Sequence, residues 1–215
     1  MTKPLAEILR PVSLDDYIGQ EHLIGEGAIL RKAIMENNVP SMILWGPPGV
    51  GKTTLANIIA NTISAQFYTL SAINSGVKDV REVIDQAKLN YGNSILFVDE
   101  IHRFSKNQQD SLLGAVEQGI VRLIGATTEN PSFEIISPLL SRAQVYVLKN
   151  LERHHLEKII QRAVSYLEQE GKRKDEDHKN KEDDELKERG RREANALTDG
   201  VPLEKKKKKN AGSCV

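Results

Sequence analysis

The pattern of apolar and polar positions along the chain predicts strands that are separated by helices. Strand-like runs lie at residues 41–45, 66–70, 94–98, 121–126 and 145–148. The third run is continuously apolar, as is typical of a central strand that is buried on both faces of a parallel sheet. Because such runs alternate with helical segments, we predict a three-layer α/β/α sandwich around a five-stranded parallel sheet.

Helices are predicted between the strands, where apolar side chains recur three or four residues apart and so share one helical face. The first is expected at about residues 28–37, where Pro40 closes it, and another at 106–118. An amphipathic helix is expected at 151–170. Two further helices follow from the apolar positions Leu55, Ile58, Ile59 and Ile63, and Val80, Val83, Ile84 and Ala87.

The C-terminal part of the chain has a different composition. Between residues 171 and 192 the only apolar residue is Leu186, and consecutive lysines follow at 205–209. Such a segment buries too little apolar surface to offset the entropy that it would lose on ordering. We therefore predict that residues 171–215 are a mostly disordered charged tail, with at most a transient charged helix. We favour a solvated tail over a nucleic-acid-binding arm.

A glycine-rich loop, Gly46–Thr54, follows the first strand and precedes a helix. It reads GPPGVGKTT and matches the phosphate-binding pattern G-x-x-x-x-G-K-[ST]. In such a loop the backbone N–H groups and the positive end of the following helix converge on phosphate groups, and the lysine adds a point charge. The predicted nucleotide-binding residues of the loop are Gly46, Pro47, Pro48, Gly49, Val50, Gly51, Lys52, Thr53 and Thr54.

Two carboxylates, Asp99 and Glu100, end the buried third strand. A bound nucleoside triphosphate needs a divalent ion between its β- and γ-phosphates. Thr53 and Asp99 are the predicted ligands, and Mg²⁺ is the expected ion because it keeps several waters and needs few protein ligands. Glu100 is the predicted catalytic carboxylate, which orients or deprotonates the attacking water.

Other polar residues remain open to two interpretations. Thr128, at the end of the fourth strand, is placed to contact a phosphate or the attacking water, but loop threonines often cap local backbone instead. Arg142 is free to form an ion pair within its own subunit or to serve a nucleotide site. The histidines His102, His154 and His155 lack metal-ligand spacing, and we predict that they are surface or packing residues.

Composition narrows the class of protein. A chain of 215 residues has room for one sizeable domain and an appendage. Its net charge is zero, so no overall field points to nucleic acid or to a membrane surface. We find no apolar run near the ~20 residues of a membrane span and no signal peptide. The single cysteine, Cys214, excludes an internal disulfide framework. We therefore expect a cytoplasmic protein.

Five stretches within residues 5–167 resemble the AAA+ ATPases, and more narrowly the replication-associated recombination protein A family. They read LRPVSLDDYIGQEHLIG, ILWGPPGVGKTTLANIIA, SAINSGVKDVREVI, ILFVDEIHRFSKNQQDSLLGAVEQG and LIGATTENPSFEIISPLLSRAQVYVLKNL. The first, second and fourth are shared in general form with clamp loaders and Holliday-junction motors. The resemblance implies a P-loop NTPase core of the AAA+ type at residues 1–150 and a helical lid whose first helix is at 151–170.

The resemblance also implies roles for residues at matching positions. Ile18 and Gly19 would read the adenine base through their backbone. Thr128 matches the residue called sensor 1, which with the lysine of the loop completes the catalytic set. Arg142 matches an arginine finger that is given to the ATP of a neighbouring subunit. Ser71 matches a position that restrains the catalytic carboxylate until a partner binds.

The implied function is DNA-stimulated ATP hydrolysis in replication-fork rescue, recombination and repair. The implied cofactors and partners are ATP, Mg²⁺, DNA at duplex ends, gaps or stalled forks, and single-stranded-DNA-binding protein. Family members are homo-oligomers without a membrane anchor, and the implied location is the nucleoid within the cytoplasm.

The resemblance ends after residue 170, where a Gly-Asp-Ala-Arg-like segment with the sensor 2 arginine and an oligomerisation domain would follow. We therefore expect a truncated or frame-shifted member, in which nucleotide binding persists while turnover and assembly into a homo-oligomer stay open. Two alternatives also stay open. One is a nucleotide-binding interaction subunit with little catalysis, and the other is a clamp-loader or Holliday-junction branch-migration relative.

Overall fold

The computed structural model describes residues 3–90 and 93–198. Each strand predicted from the sequence is present, with both ends within one residue of the predicted bounds. The strands are β1 Met42–Trp45, β2 Gln66–Ser71, β3 Ser94–Asp99, β4 Arg122–Thr127 and β5 Gln144–Val147.

These strands form one parallel sheet in the order β2-β3-β4-β1-β5. In the register of this sheet, Trp45 at the end of β1 lies beside Thr127 of β4 and Val147 of β5. Val98, near the end of β3, lies beside Gly125 of β4. The carboxyl ends of β1, β3 and β4 therefore meet along one edge of the sheet, which we call the carboxyl edge.

The described residues also form helices. They are α1 Leu5–Ile8, α2 Glu21–Ile24, α3 Ile29–Met35, α4 Lys52–Thr62, α5 Val77–Lys88, α6 Lys106–Glu117, α7 Pro131–Glu134, α8 Ser137–Leu140 and α9 Arg153–Thr198, with a 3₁₀ turn at Ile101–Arg103. The helices predicted at 28–37 and 106–118 correspond to α3 and α6.

Side chains of the central strands alternate between two buried clusters, because successive residues of a strand point to opposite faces. Met42 and Leu44 of β1 pack in a cluster with α3 and α4, whereas Ile43 belongs to the cluster formed with α5 and α6. In β3, Phe97 belongs to the first cluster and Val98 to the second. The three-layer α/β/α sandwich predicted from the sequence is thus confirmed.

The described residues fall into two compact units, divided between Ala163 and Val164. Helix α9 begins in the first unit and continues through the charged stretch to Thr198, where the sequence allows a transient charged helix. Residues 199–215, which include the lysine run and Cys214, lie outside the described residues. The sequence-based boundaries at residues 150 and 170 stay predictions.

No helix in the described part of the chain is both long enough and apolar enough to cross a membrane.

Candidate functional site

The predicted site residues of the phosphate loop, of β3 and of β4 all follow strands at the carboxyl edge. In open parallel sheets, ligands bind beyond this edge, where loops from neighbouring strands converge. The loop is joined directly to the end of β4, since the backbone N–H of Gly46 donates to the carbonyl oxygen of Thr127 at 3.1 Å. The strand order therefore brings together residues that are far apart in the chain.

The glycines of the phosphate loop are required by its conformation. Gly49 and Gly51 have φ of +77° and +97°, in the region that favours glycine. A Cβ on Gly51 would also collide with the hydroxyl oxygen of Tyr17, which donates to the carbonyl oxygen of Val50 at 3.1 Å. Helix α4 begins at Lys52, directly after Gly51. Its first N–H groups lack partners within the helix and are available to an anion.

Lys52 is held at the centre of the loop and is 8% exposed. Its ammonium donates to the carbonyl oxygens of Gly46 at 2.7 Å and of Pro47 at 2.8 Å. An ammonium has three donors, so one remains for a phosphate oxygen. Burial lowers the pKa of Lys52, while the negative charges of Glu100 and Asp99 act in the opposite direction. The two carboxylates are thus close enough to influence the charge of the loop lysine.

An apolar cavity of about 650 Å³ lies beside the phosphate loop. Leu9, Tyr17 and Ile18 of the N-terminal segment line it, together with Thr54 of the loop and Ile159 of α9. Its size and largely apolar lining suit a small organic ligand such as a nucleoside base. Of the residues predicted to read the base, Ile18 lines this cavity.

Gly19 is not among the residues that line the cavity. A Cβ at this position would approach the Cδ2 atom of Leu151 to 2.8 Å, and φ of Gly19 is +86°. We therefore assign Gly19 a packing role: it lets the segment that carries Ile18 lie close to the residues before α9.

Two buried polar side chains fix this N-terminal segment. Gln20, which is 4% exposed, donates to the carbonyl oxygen of Lys149 at 2.7 Å and accepts from its N–H at 2.8 Å. His155, which is 5% exposed, accepts from the N–H of Glu152 and lies 3.0 Å from the carboxylate of Glu21. The prediction that His155 is a packing residue agrees with this placement.

Asp99 and Glu100 follow the buried part of β3 and are both half-buried. Asp99 is the last residue of the strand and pairs in register with Ser71 of β2. Glu100 adopts a left-handed conformation, with φ of +52°, and starts the 3₁₀ turn at Ile101–Arg103. The backbone therefore changes direction between the two carboxylates.

The donor set at the loop fits Mg²⁺. Thr53, in the first turn of α4, offers a hydroxyl oxygen, and Asp99 offers a carboxylate oxygen. Hard cations prefer such oxygen ligands, and Mg²⁺ in phosphate sites takes most of its remaining ligands from waters and phosphates. Among the described residues no group of three or more His, Cys, Asp or Glu side chains could hold a metal ion. In such sites, waters and nucleotide phosphates supply the remaining ligands.

The Glu100 carboxylate has two partners at the carboxyl edge. Its Oε2 atom accepts a hydrogen bond from the hydroxyl of Thr128 at 3.4 Å and lies 3.2 Å from Nδ1 of His102. The predicted sensor residue Thr128 is thus in contact with the predicted catalytic carboxylate. The family resemblance assigns Ser71 to restrain Glu100. Ser71 is not among the hydrogen-bond partners that the structure describes for the Glu100 side chain.

His102 is the polar residue of this site that sequence analysis missed. Its side chain is 13% exposed and lies 3.0 Å from the hydroxyl of Thr127 as well as beside Glu100. Its position two residues after the carboxylate was the available signal. The lack of metal-ligand spacing predicts only a surface or packing residue at this position.

Arg142 lies away from the phosphate loop of its own chain. It comes just before β5, whose first residue Gln144 pairs with Met42 at the start of β1. Arg142 is therefore at the amino ends of the strands, which we call the opposite edge of the sheet. Its guanidinium forms an ion pair with Glu117 at 2.6 Å and donates to the carbonyl oxygen of Pro138 at 2.8 Å. The first of the two open interpretations, an ion pair within the subunit, is observed.

Comparisons with known proteins agree with this geometry. A family model described as the Holliday junction DNA helicase RuvB P-loop domain matches residues 9–140. The chain is 58% identical over 164 residues to replication-associated recombination protein A of Haemophilus influenzae, and this alignment covers 75% of the chain and 37% of that protein. It is 52% identical over 164 residues to the ATPase WRNIP1 of Dictyostelium discoideum, covering 75% of the chain and 19% of that protein.

A solved structure shares the fold. The RuvB Holliday junction branch migration motor of Thermotoga maritima superposes with a TM-score of 0.64 and 34% sequence identity, over 74% of this chain and 55% of that one. Compared with the curated relatives from Haemophilus influenzae and Dictyostelium discoideum, the chain spans well under half of their length.

Proposed function

The chain belongs to the family of the RuvB P-loop domain, within the AAA+ ATPases, and on that premise we propose that it binds ATP with Mg²⁺ and hydrolyses the γ-phosphate. The observation that carries this proposal is the convergence of Lys52, Asp99, Glu100 and Thr128 at the carboxyl edge of one sheet. Each is needed for a different part of phosphoryl transfer.

Binding is the task of the loop and the apolar cavity. The triphosphate lies against the N–H groups of the phosphate loop and of the first turn of α4, and the free donor of Lys52 reaches its β- or γ-phosphate. The base enters the cavity beside Ile18 and Tyr17. Thr53 and Asp99 would hold Mg²⁺, which would neutralise the charge that develops on the phosphates.

Hydrolysis requires that a water be directed at the γ-phosphate. Glu100 orients this water and accepts its proton, because it is the carboxylate next to Asp99 that metal binding leaves unused. The hydroxyl of Thr128 at the end of β4 donates to Glu100, and it would turn to the γ-phosphate once ATP is bound. In this scheme Lys52 and Mg²⁺ supply the positive charge within one subunit, and an arginine from a neighbour would add to it at the γ-phosphate.

Arg142 supplies this further charge to a neighbouring subunit. Its place at the opposite edge of the sheet keeps it from its own nucleotide, and it is 41% exposed and therefore accessible to a neighbour. In other NTPases an arginine given in trans accelerates hydrolysis ~10³–10⁵-fold. An isolated subunit should therefore hydrolyse ATP slowly.

The biological role that we propose is work on DNA in replication-fork rescue, recombination and repair. This proposed role is supported by the names of two similar proteins. One is a replication-associated recombination protein, and the other is a Holliday junction branch migration motor. The proposed substrates are duplex ends, gaps or stalled forks, and the proposed partners are single-stranded-DNA-binding protein and further copies of the chain. Such a role would place the protein in the cytoplasm at the nucleoid.

The test is a comparison of Glu100→Gln and Lys52→Ala with the native chain. Glu100→Gln should keep ATP affinity and lose at least about 100-fold in turnover, since a general base contributes ~10²–10⁴-fold. Lys52→Ala should lose ATP affinity itself. Affinity is measured with a fluorescent ATP analogue, and turnover by phosphate release with and without forked DNA.

Glu82→Gln on the exposed face of α5 is the matched control, because it makes the same chemical change away from the site. It should leave both affinity and turnover unchanged. If Glu100→Gln hydrolysed ATP at the native rate, Glu100 would not be the catalytic carboxylate and the proposed mechanism would be wrong. A native chain that binds ATP without turnover, even with DNA, would instead be a nucleotide-binding interaction subunit.

A further inference from the structure

The 3₁₀ turn after β3 directs His102 back toward the residue that starts the turn. The N–H of Arg103 donates to the carbonyl oxygen of Glu100 at 2.8 Å and closes the turn, while Ile101 is fully buried and anchors it in the core. The imidazole is thereby placed between two groups, with Nδ1 at 3.2 Å from Oε2 of Glu100 and 3.0 Å from Oγ1 of Thr127.

The contacts of Thr127 determine which way the hydrogen bond runs. Its hydroxyl donates its one proton to the carbonyl oxygen of Glu129 at 3.2 Å and accepts from the N–H of Glu129 at 3.0 Å. It therefore has a lone pair, and no proton, for His102. A carboxylate likewise only accepts hydrogen bonds. This arrangement favours the tautomer in which Nδ1 of His102 carries the hydrogen and shares it between Thr127 and Glu100.

The two sides of the Glu100 carboxylate are unequal. The contacts from His102 and Thr128 both go to Oε2, at 3.2 and 3.4 Å. Within residues 3–90 and 93–198, whose contacts the structure describes, Oε1 has no hydrogen-bond partner. One oxygen is thus fixed by the protein while the other is left to accept from a ligand or a water.

We propose that His102 is a positioning residue for hydrolysis: its Nδ1–H, oriented by Thr127, holds Oε2 of Glu100 so that Oε1 faces the attacking water. This inference rests on the proposed ATPase function. The imidazole takes no proton from the water and touches no phosphate. Its contribution is the orientation of the base, and a misplacement of about 1 Å in such a group can cost about 100-fold in rate.

Two substitutions of similar polarity separate this role from a general structural one. His102→Asn keeps an amide nitrogen on Cγ, at the place of Nδ1, and can still donate to Glu100. His102→Gln moves the amide one bond further from the backbone, so its nitrogen no longer occupies that place. His102→Ala removes the donor altogether.

The expected result is a change in kcat with an unchanged affinity for ATP. His102→Ala and His102→Gln should lower kcat about tenfold or more, whereas His102→Asn should recover most of the loss. Thermal unfolding of each variant reports whether the fold is retained. Equal kcat values for the Asn and Gln variants, both folded, would overturn the proposal, and so would a native kcat for His102→Ala.

A second measurement does not depend on turnover. Chain labelled with ¹⁵N in its five histidines gives long-range ¹H–¹⁵N spectra that distinguish the two neutral tautomers, and the His102→Asn variant identifies the signals that belong to His102. We expect the Nδ1–H tautomer. An Nε2–H tautomer would overturn the proposal whatever the kinetics show.

Failure of this inference is distinguishable from failure of the ATPase proposal. If Glu100→Gln loses turnover while His102→Ala does not, the function stands and the role of His102 is wrong. If Glu100→Gln keeps turnover, the mechanism fails at Glu100 itself.

Discussion

The carboxyl edge of the central sheet and the opposite edge, at the amino ends of the strands, carry different candidate functional side chains. At the carboxyl edge the phosphate loop, Asp99, Glu100 and Thr128 lie together and are tied to one another by hydrogen bonds and charge. At the opposite edge Arg142 is half-exposed and is held by a surface ion pair with Glu117. The groups at the carboxyl edge form the proposed nucleotide site, whereas Arg142 lies outside that site in its own chain.

This difference teaches how a catalytic set can be divided. Residues that must remain in fixed geometry with the phosphates lie on neighbouring strands of one sheet, where the core fixes them. Arg142, which is proposed to act only on assembly, lies at the other end of the strands in a partly exposed ion pair that solvent weakens. The following predictions test that division.

The largest expected effect comes from Arg142→Ala. Mixed with Glu100→Gln chains, which keep Arg142 but lack their own base, it should regain at least about tenfold in turnover, because each Arg142→Ala site can then receive a finger from its neighbour. Alone, both variants should be nearly inactive. Phosphate release at several mixing ratios measures this recovery.

In the same mixing experiment, Arg142→Lys can be introduced into the Glu100→Gln chain, since lysine keeps the charge but not the planar fork of donors. This chain should restore less turnover to the Arg142→Ala chain than a donor with native Arg142 does. If mixing Arg142→Ala with Glu100→Gln gave no more than the sum of the separate rates, the division of the site between the two edges would be contradicted.

A smaller effect is expected at the loop itself, from Gly51→Ala. The added Cβ meets the hydroxyl of Tyr17 at a backbone conformation that already disfavours alanine, so we expect a loss of about 2–4 kcal/mol in the free energy of unfolding. Urea denaturation followed by circular dichroism measures it.

Gly49→Ala is the matched control for the loop. Gly49 also has a positive φ, but nothing lies within 4 Å of the position of its Cβ. It should therefore lose only the conformational part, about 1 kcal/mol. Adding Tyr17→Phe to Gly51→Ala should restore part of the larger loss. Equal losses at Gly49 and Gly51 would show that contact with Tyr17 does not constrain the loop.

The smallest effect is expected from Glu117→Gln, which removes the ion-pair partner of Arg142. Both side chains are more than a third exposed, so solvent screens the pair and its loss should change stability by less than about 1 kcal/mol. Thermal unfolding at low and high salt measures this change. A loss above about 2 kcal/mol would mean that Arg142 is fixed in its own subunit and is poorly suited to leave it.

The fold could be predicted from the sequence because its signals are local. The strands and the phosphate loop each depend on fewer than about ten consecutive residues, whose periodicity and glycine positions carry the information. The same holds for Asp99 and Glu100, which were recognised by their place after a buried strand. Their roles in catalysis remain predictions.

The contacts that organise the site could not be predicted in the same way. Gln20 joins a backbone group 129 residues away, and His102 joins a hydroxyl 25 residues away. No periodicity in the sequence reports such pairs. For Arg142 both interpretations were open, and the ion pair with Glu117 became visible only once α6 and β5 were placed in space.

The sequence by itself determined that this chain has a parallel α/β sheet with a phosphate loop, since local spacing encodes strands, helices and turns. Only the tertiary structure decided that His102 and Thr128 hold one oxygen of Glu100 and that Arg142 faces away from them. The physical reason is that the strand order β2-β3-β4-β1-β5 differs from the order in the chain and places the end of β4, with Thr127 and Thr128, beside the turn that carries Glu100 and His102. Neighbours in the sheet, and hence the partners of each side chain, are set by packing of the core and not by proximity in the sequence.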